Sequence, residues 1–147
     1  MANTQSMCTS FMQELMTGTH NFGTAPIRAA TTADTFKAAL YLASATVNAS
    51  TTAYSATNEA SGTGYTAGGN TISGVTVSTS GTTAYISFDN VVWNPAAFTA
   101  RCALIYNTSK ANRSIAVLDF GADKTTTTSF TVQLPPNTVA DALLRIA

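Results

Sequence analysis

Apolar residues recur at helical spacing once in this chain and at strand spacing almost everywhere else. Near the start, Cys8, Phe11, Met12, Leu15 and Met16 fall three and four apart, the period of a helix with one buried stripe. Ser10 followed by Gln13 fits a capping box, and Gly18 is placed to end the helix in a left-handed conformation. The pattern predicts a short helix over about residues 10–18, preceded by an arm at 1–7. No Lys or Arg decorates the polar face, so the stripe reads as a plug over one end of a sheet rather than a membrane-surface helix. The arm has no apolar periodicity to bury, and the expectation is that it serves docking rather than folding.

After Pro26 the period changes to two. Phe36, Ala38, Leu40 and Leu42 alternate with Lys37, Ala39 and Tyr41, which predicts a strand. Residues 70–77 and 82–88 are β-rich runs separated by Ser78-Thr79-Ser80-Gly81 and read as a hairpin. Further strands are predicted near 91–93, 99–106, 114–120, 128–134 and 142–146. The breakers between them are Asn94-Pro95, residues 107–112, residues 121–124 and Pro135-Pro136-Asn137. Cys102 to Tyr106 is continuously apolar, the mark of a central strand buried on both faces. Short strands at regular spacing, with no helix-length segments to build parallel crossovers, predict an all-β antiparallel sandwich, jelly-roll-like, with one short N-terminal helix. No internal repeat or domain boundary interrupts residues 1–147, so a single domain is expected.

Composition narrows the function. Only 10% of residues are charged, seven basic against seven acidic, so no field is available to gather nucleic acid. Hydrophobic content is too high and net charge too low for disorder. A neutral surface rich in Ser, Thr, Asn and Ala is poorly protected against association and suits a protein packed against others. No run of about 18 apolar residues encodes a membrane span, and the first residues lack a signal-peptide pattern, so synthesis in a cytoplasm is expected. Cys8 and Cys102 are then expected to remain free, half-buried thiols. Three Asn-x-Ser matches, at Asn48, Asn107 and Asn112, read as consequences of a Ser- and Thr-rich composition.

The segments that look chemical have simpler readings. Gly62-Thr63-Gly64-Tyr65-Thr66-Ala67 has the spacing of a dinucleotide loop, but it leads through Gly68-Gly69 into a strand where that motif needs a helix. The reading is a loop whose glycines supply positive φ and whose Tyr65 folds back as a packing anchor. Asp119-Phe120-Gly121 copies a kinase tripeptide in a chain too short for two lobes, and reads as a strand end and turn. His20 is the single histidine, and no signature links it to Cys8, Cys102 or the scattered carboxylates as a catalytic set; it reads as a hydrogen-bonded or C-terminal capping residue near the helix end. Asp119 and Asp123 fall far short of a calcium cage. No catalytic, metal-binding or cofactor-binding residues are assigned, and the expectation is a non-enzyme. Trp93, Tyr41, Tyr54, Tyr65, Tyr85 and Tyr106 suit core or interface packing at least as well as a sugar-binding face.

Residues 57–69, the helical start at 10–22, Arg101-Cys102-Ala103-Leu104-Ile105-Tyr106-Asn107, Asp119-Phe120-Gly121 and the closing Leu143-Leu144-Arg145-Ile146-Ala147 together resemble a group of small virion proteins of tailed bacteriophages. Members are called head decoration, cement or tail-fibre proteins, and the resemblance covers most of the chain. It implies a jelly-roll-like sandwich on the outer surface of the head, bridging subunits of the major capsid protein. The implied partners are that protein and further copies of this chain, as a dimer or trimer, with no nucleic acid and no membrane. Loops and termini carry the contacts of a rigid sandwich. The contact residues expected on that ground are Ala2, Asn3, Thr4, Gln5, Ser6 and Met7 of the arm, Tyr65 in its loop, and Lys110 and Arg113 in their turn. The alternative is a tail-fibre or adsorption module that binds a host surface glycan.

Overall fold

The computed structural model describes residues 3–16, 18–22 and 34–147; Ala2 and Pro26 lie outside them. Along the described chain the elements are β1 (Ser6–Met7), α1 (Thr9–Met16), β2 (Phe36–Tyr41), β3 (Asn70–Ile72), β4 (Thr76–Ser80), β5 (Thr83–Ser87), β6 (Val91–Trp93), β7 (Phe98–Asn107), β8 (Arg113–Thr126), β9 (Phe130–Val132) and β10 (Leu144–Ile146). The described residues are mostly β with one short helix, and every strand pairing among them is antiparallel.

The longest apolar run occupies the middle of the largest sheet. β7 is third in the five-stranded order β1-β8-β7-β2-β3, and Cys102 to Tyr106 are all buried, as expected of a strand covered on both faces. Its neighbour β2 is buried on both alternating sets as well, with Phe36, Ala38 and Leu40 on one side and Ala39 and Tyr41 on the other. The remaining strands form a three-stranded sheet, β10-β5-β4, and the pair β6-β9. The described strands thus form sheets of five, three and two strands.

Two aromatic clusters lock these sheets together. Phe22 stacks on Phe36 of β2 at 4.8 Å, and both meet Phe88, which follows β5, while Phe11 of α1 lies edge-on to Phe22. At the other end Trp93 of β6, Phe98 of β7 and Phe130 of β9 meet edge to face or tilted. Offset and edge-on geometry adds to the apolar burial of such rings. Cys8 and Cys102 are free, fully buried thiols, and burial pushes Cys102 up to about 12 and Cys8 above its ordinary value.

Several local expectations are corrected. The helix begins at Thr9, so Cys8 rather than Ser10 stands before its first turn, with the Cys8 carbonyl accepting from Met12 N–H. Thr9 N–H is satisfied by the Ala49 carbonyl, and the Ser10 hydroxyl is buried with no hydrogen-bond partner among the described residues. Met12 is 45% exposed; the buried stripe is Cys8, Phe11 and Glu14, flanked by half-buried Leu15. The helix end is as read: Gly18 takes φ +68°, its N–H reaches Leu15 O and Thr19 N–H reaches Glu14 O, the paired bonds of a Schellman motif.

The run at 70–77 breaks at residues 73–75 into β3 and β4, which belong to different sheets, and the hairpin is β4–β5 around Gly81 and Thr82. Residues 121–124 do not end a strand. β8 runs through to Thr126, and Ala100 pairs with Lys124 while Cys102 pairs with Asp119, so Phe120 to Asp123 bulge opposite Arg101. Asp119 Oδ1 accepts from Gly121 N–H at 3.0 Å and from Arg101 Nε at 3.1 Å. The Gly121 N–H, then Arg101, hold the Asp119 carboxyl below its usual range.

Candidate functional site

The glycine loop is fastened to the open edge of β2 by backbone hydrogen bonds and the Tyr65 hydroxyl, and one carboxylate, Glu59, gathers the loop around them. β3 pairs with β2 only from Phe36 to Ala38, leaving the β2 backbone beyond it in need of partners. Ala60 N–H donates to Leu40 O at 2.8 Å, Leu42 N–H to Asn58 O at 3.0 Å, and Leu40 N–H to the Tyr65 hydroxyl at 2.8 Å. That hydroxyl in turn donates to Glu59 Oε1 at 2.6 Å. Glu59 also accepts from Gly68 N–H at 2.7 Å and, through Oε2, from the Tyr54 hydroxyl at 2.8 Å. Tyr54 stacks on Tyr106 at 4.8 Å, and the Tyr106 hydroxyl donates to Gly68 O at 2.7 Å.

Tyr65 therefore folds back as an anchor, its ring 6.1 Å from Trp93 and 5.4 Å from Phe98. Burial first, then the bond to Glu59, raises the Tyr65 and Tyr54 hydroxyls above their ordinary value. Burial, with the Glu59 charge second, pushes Tyr106 up to about 12. These hydroxyls act as donors in a closed network and not as bases.

A second polar cluster ties α1 to the β7–β8 connection. Asn107 Oδ1 accepts from Ser109 N–H at 3.0 Å, so its amide nitrogen faces the other way, 2.7 Å from Asp34 Oδ2 and 2.9 Å from His20 Nδ1. A donor facing Nδ1 requires that nitrogen to accept, which puts the ring proton on Nε2, 2.6 Å from Glu14 Oε2. Glu14 Oε1 receives Arg113 Nη1 at 2.5 Å, and Lys110 Nζ lies 3.7 Å from Asp34 Oδ1. The order Glu14, His20, Asn107 has the outline of a proton relay, but it ends in an amide, and the His20 side chain is fully buried with both nitrogens engaged. Its chemistry is that of a tie between elements. Among the described residues no group of three His, Cys, Asp or Glu side chains could hold a metal ion, and no helix is long and apolar enough to cross a membrane.

The residues expected to make contacts fall in two places. Ala2 lies outside the described residues. Asn3 to Met7 are laid along the domain: Ser6 and Met7 pair with Val117 and Ala116 at the free edge of β8, Thr4 N–H reaches Val47 O, and the Asn3 amide bonds Leu42 O and Val47 N–H. Lys110 and Arg113 lie at the turn from β7 into β8, their charges set against Asp34 and Glu14. Tyr65 sits across the sheet, beyond β7, on β2. Arm and turn thus share the β8 side, and Tyr65 does not join them.

The arm belongs to the fold, because extended backbone laid on an open edge supplies hydrogen bonds that apolar periodicity does not report. Deleting residues 2–6 removes several backbone pairings worth about 1–2 kcal/mol in sum. The expected result is a melting temperature lower by about 3–6 °C for a domain of this length. An unchanged melting curve would return the arm to a pure docking role.

Sequence reasoning missed both carboxylates at the centres of these clusters. Glu14 carried a signal in its place three residues after Phe11, on the buried stripe. Glu59 carried a stronger one, as the only charged residue between Lys37 and Asp89. No protein-family model matches the chain, and neither does any curated protein or solved structure.

Proposed function

We propose that this chain is a structural protein of a bacteriophage virion, a decoration or cement protein that stabilises the head by bridging major-capsid subunits. The observation that carries the reading is the state of the loop at 57–69, the motif on which the resemblance chiefly rests. Glu59, Tyr65 and the backbone of Gly68 and Ala60 fix it as a block against β2. A contact surface that is already ordered loses little entropy on binding, which suits a protein that works by contact rather than catalysis. The sandwich layering of this reading draws support from the aromatic clusters that hold the smaller sheets to the larger one. Engagement of two or more neighbouring subunits multiplies modest affinities through effective concentration.

The glycan-binding alternative draws less support. Trp93, Tyr41 and Tyr106 are buried, half-buried Tyr54 and Tyr65 are held in the Glu59 network, and of the six aromatic residues only Tyr85, itself half-buried, is left outside these two groups.

The test is addition of the purified protein to heads that lack it. Retention is expected to change less than about threefold between low and roughly molar sodium chloride, because seven basic and seven acidic residues leave no net charge to screen. Copy number in purified virions should be in the hundreds. Failure to bind heads, release of most copies by salt from intact heads, or a copy number near a dozen would overturn the reading.

A further inference from the structure

The outer edge of β4 has none of the devices that keep a strand edge from pairing. Among the described residues no strand lies beyond it, since β4 ends the order β10-β5-β4. It is Thr-Val-Ser-Thr-Ser, with four of its five residues exposed, and no charged residue occurs from Ala60 to Phe88. Folded proteins blunt such edges with lysines, prolines, bulges or very short strands. The other open edges here are blunted. β8 past Val117 carries Asp119, Asp123, Lys124 and its bulge, β1 is two residues long, and β3, β6, β9 and β10 are three, β10 with Arg145 at its centre.

The sheet face behind this edge is also partly uncovered. The register aligns Val77, Ile86 and Leu144 in one row and Thr79, Ala84 and Ile146 in the next row on the same face. α1 covers part of this face through Phe11 and Leu15, around an apolar dent of about 70 Å³. Val77 and Ile146 remain 53% and 59% exposed.

We propose that β4 pairs antiparallel with β4 of a second copy of this chain, across a two-fold axis at Ser78. That register uses the whole strand: Thr76 opposes Ser80, Val77 opposes Thr79, and Ser78 opposes itself. It sets no like charges against each other, and it places Ser and Thr side chains in direct cross-strand positions. It also joins the rows of the two sheets, so that Leu144, Ile86 and Val77 of one copy continue into Thr79, Ala84 and Ile146 of the other. A two-fold contact needs one patch complementary to itself, and an uncharged strand centred on a serine is such a patch. The result is a six-stranded sheet, β10-β5-β4-β4-β5-β10. This deepens the self-association in the function proposed above by naming its surface. The isolated protein tests it with no capsid present, so failure here leaves the capsid reading standing.

The experiment is analytical ultracentrifugation of the purified protein with two variants. At about 0.1 mM, where contacts of micromolar strength are occupied, the wild type is expected to sediment as a dimer. Val77→Lys puts a cation on each side of the seam; it is expected to weaken dimerisation by about tenfold or more, with the melting temperature retained because Val77 is exposed. Ser78→Cys places thiols opposite each other at the axis, while Cys8 and Cys102 are buried. Under mild oxidation it is expected to form a covalent dimer at least about tenfold faster than Thr82→Cys at the hairpin tip, which lies off the seam. A monomeric wild type at that concentration, an unchanged dimer in Val77→Lys, or equal cross-linking of the two cysteine variants would overturn the proposal.

Discussion

Replacing Glu59 with alanine is expected to lower the melting temperature by about 10 °C. The carboxylate takes hydrogen bonds from Tyr65, Gly68 and Tyr54, and its removal leaves two hydroxyls and a backbone N–H without acceptors in a part-buried site. Stranded donors of this kind cost about 1–3 kcal/mol each where buried, and partial access of water brings the sum to about 3–4 kcal/mol. At about 2–4 °C per kcal/mol for a domain of this size, the shift is near 10 °C. Glu59→Gln keeps one acceptor oxygen and should fall between alanine and the wild type. The same network sets an alkaline limit. Tyr41, Tyr54, Tyr65 and Tyr106 all have folded-state values raised above the ordinary value of 10.0, burial being the first cause in each. Below pH 10 both folded and unfolded chains hold these protons, and stability is full. As pH rises past 10 the unfolded chain releases them first, so stability falls with pH. Thermal melts of the three proteins at pH 7 and pH 10.5 check both parts. A drop below about 2 °C for Glu59→Ala, or a wild type equally stable at the two pH values, would show that the network does not hold the loop.

What could be read from the sequence was what depends on near neighbours. The Gly18 stop, the β7 run and the alternation in β2 are each set by residues a few positions apart, and the structure has all three. The Ser10 cap failed because the competing partner for the first turn, the Ala49 carbonyl, lies far along the chain. The pairing of the arm could not be read for the same reason, since its partners Val47 and β8 become neighbours only in the folded state. Glu14 and Glu59 stood out only by their place in the sequence; as centres they could not be read, because a carboxylate withdrawn from solvent is defined by the donors around it, and those come from His20, Arg113, Tyr54, Tyr65 and Gly68. The glycine loop was legible as a loop and as an anchor for Tyr65. That it replaces β3 as the partner of the β2 edge was not, because nothing in its spacing states how far β3 extends.

Gly69→Ala and Gly64→Ala are expected to destabilise the protein far more than Gly81→Ala, although all three glycines have positive φ, at +69°, +79° and +56°. The conformation alone disfavours a side chain by about 1–2 kcal/mol at any of them. Surroundings separate the three. A Cβ on Gly69 would overlap the carbonyl oxygen and carbon of Ala38, and one on Gly64 would overlap the carbonyl of Pro95; both obstacles are backbone and cannot rotate away. At Gly81, on the tip of the β4–β5 hairpin, nothing lies within 4 Å. Relief at Gly69 requires the loop to lift from β2 just where Gly68 meets Glu59 and Tyr106, so strain is added to lost hydrogen bonds. The expected costs are about 3–5 kcal/mol or more for Gly69→Ala and Gly64→Ala and about 1 kcal/mol for Gly81→Ala. In thermal melts this is a fall of about 10 °C or more against about 3 °C. Equal losses at the three positions would mean that φ alone governs them and that the loop does not press on the β2 backbone. A large loss at Gly81 alone would place the constraint in the hairpin instead.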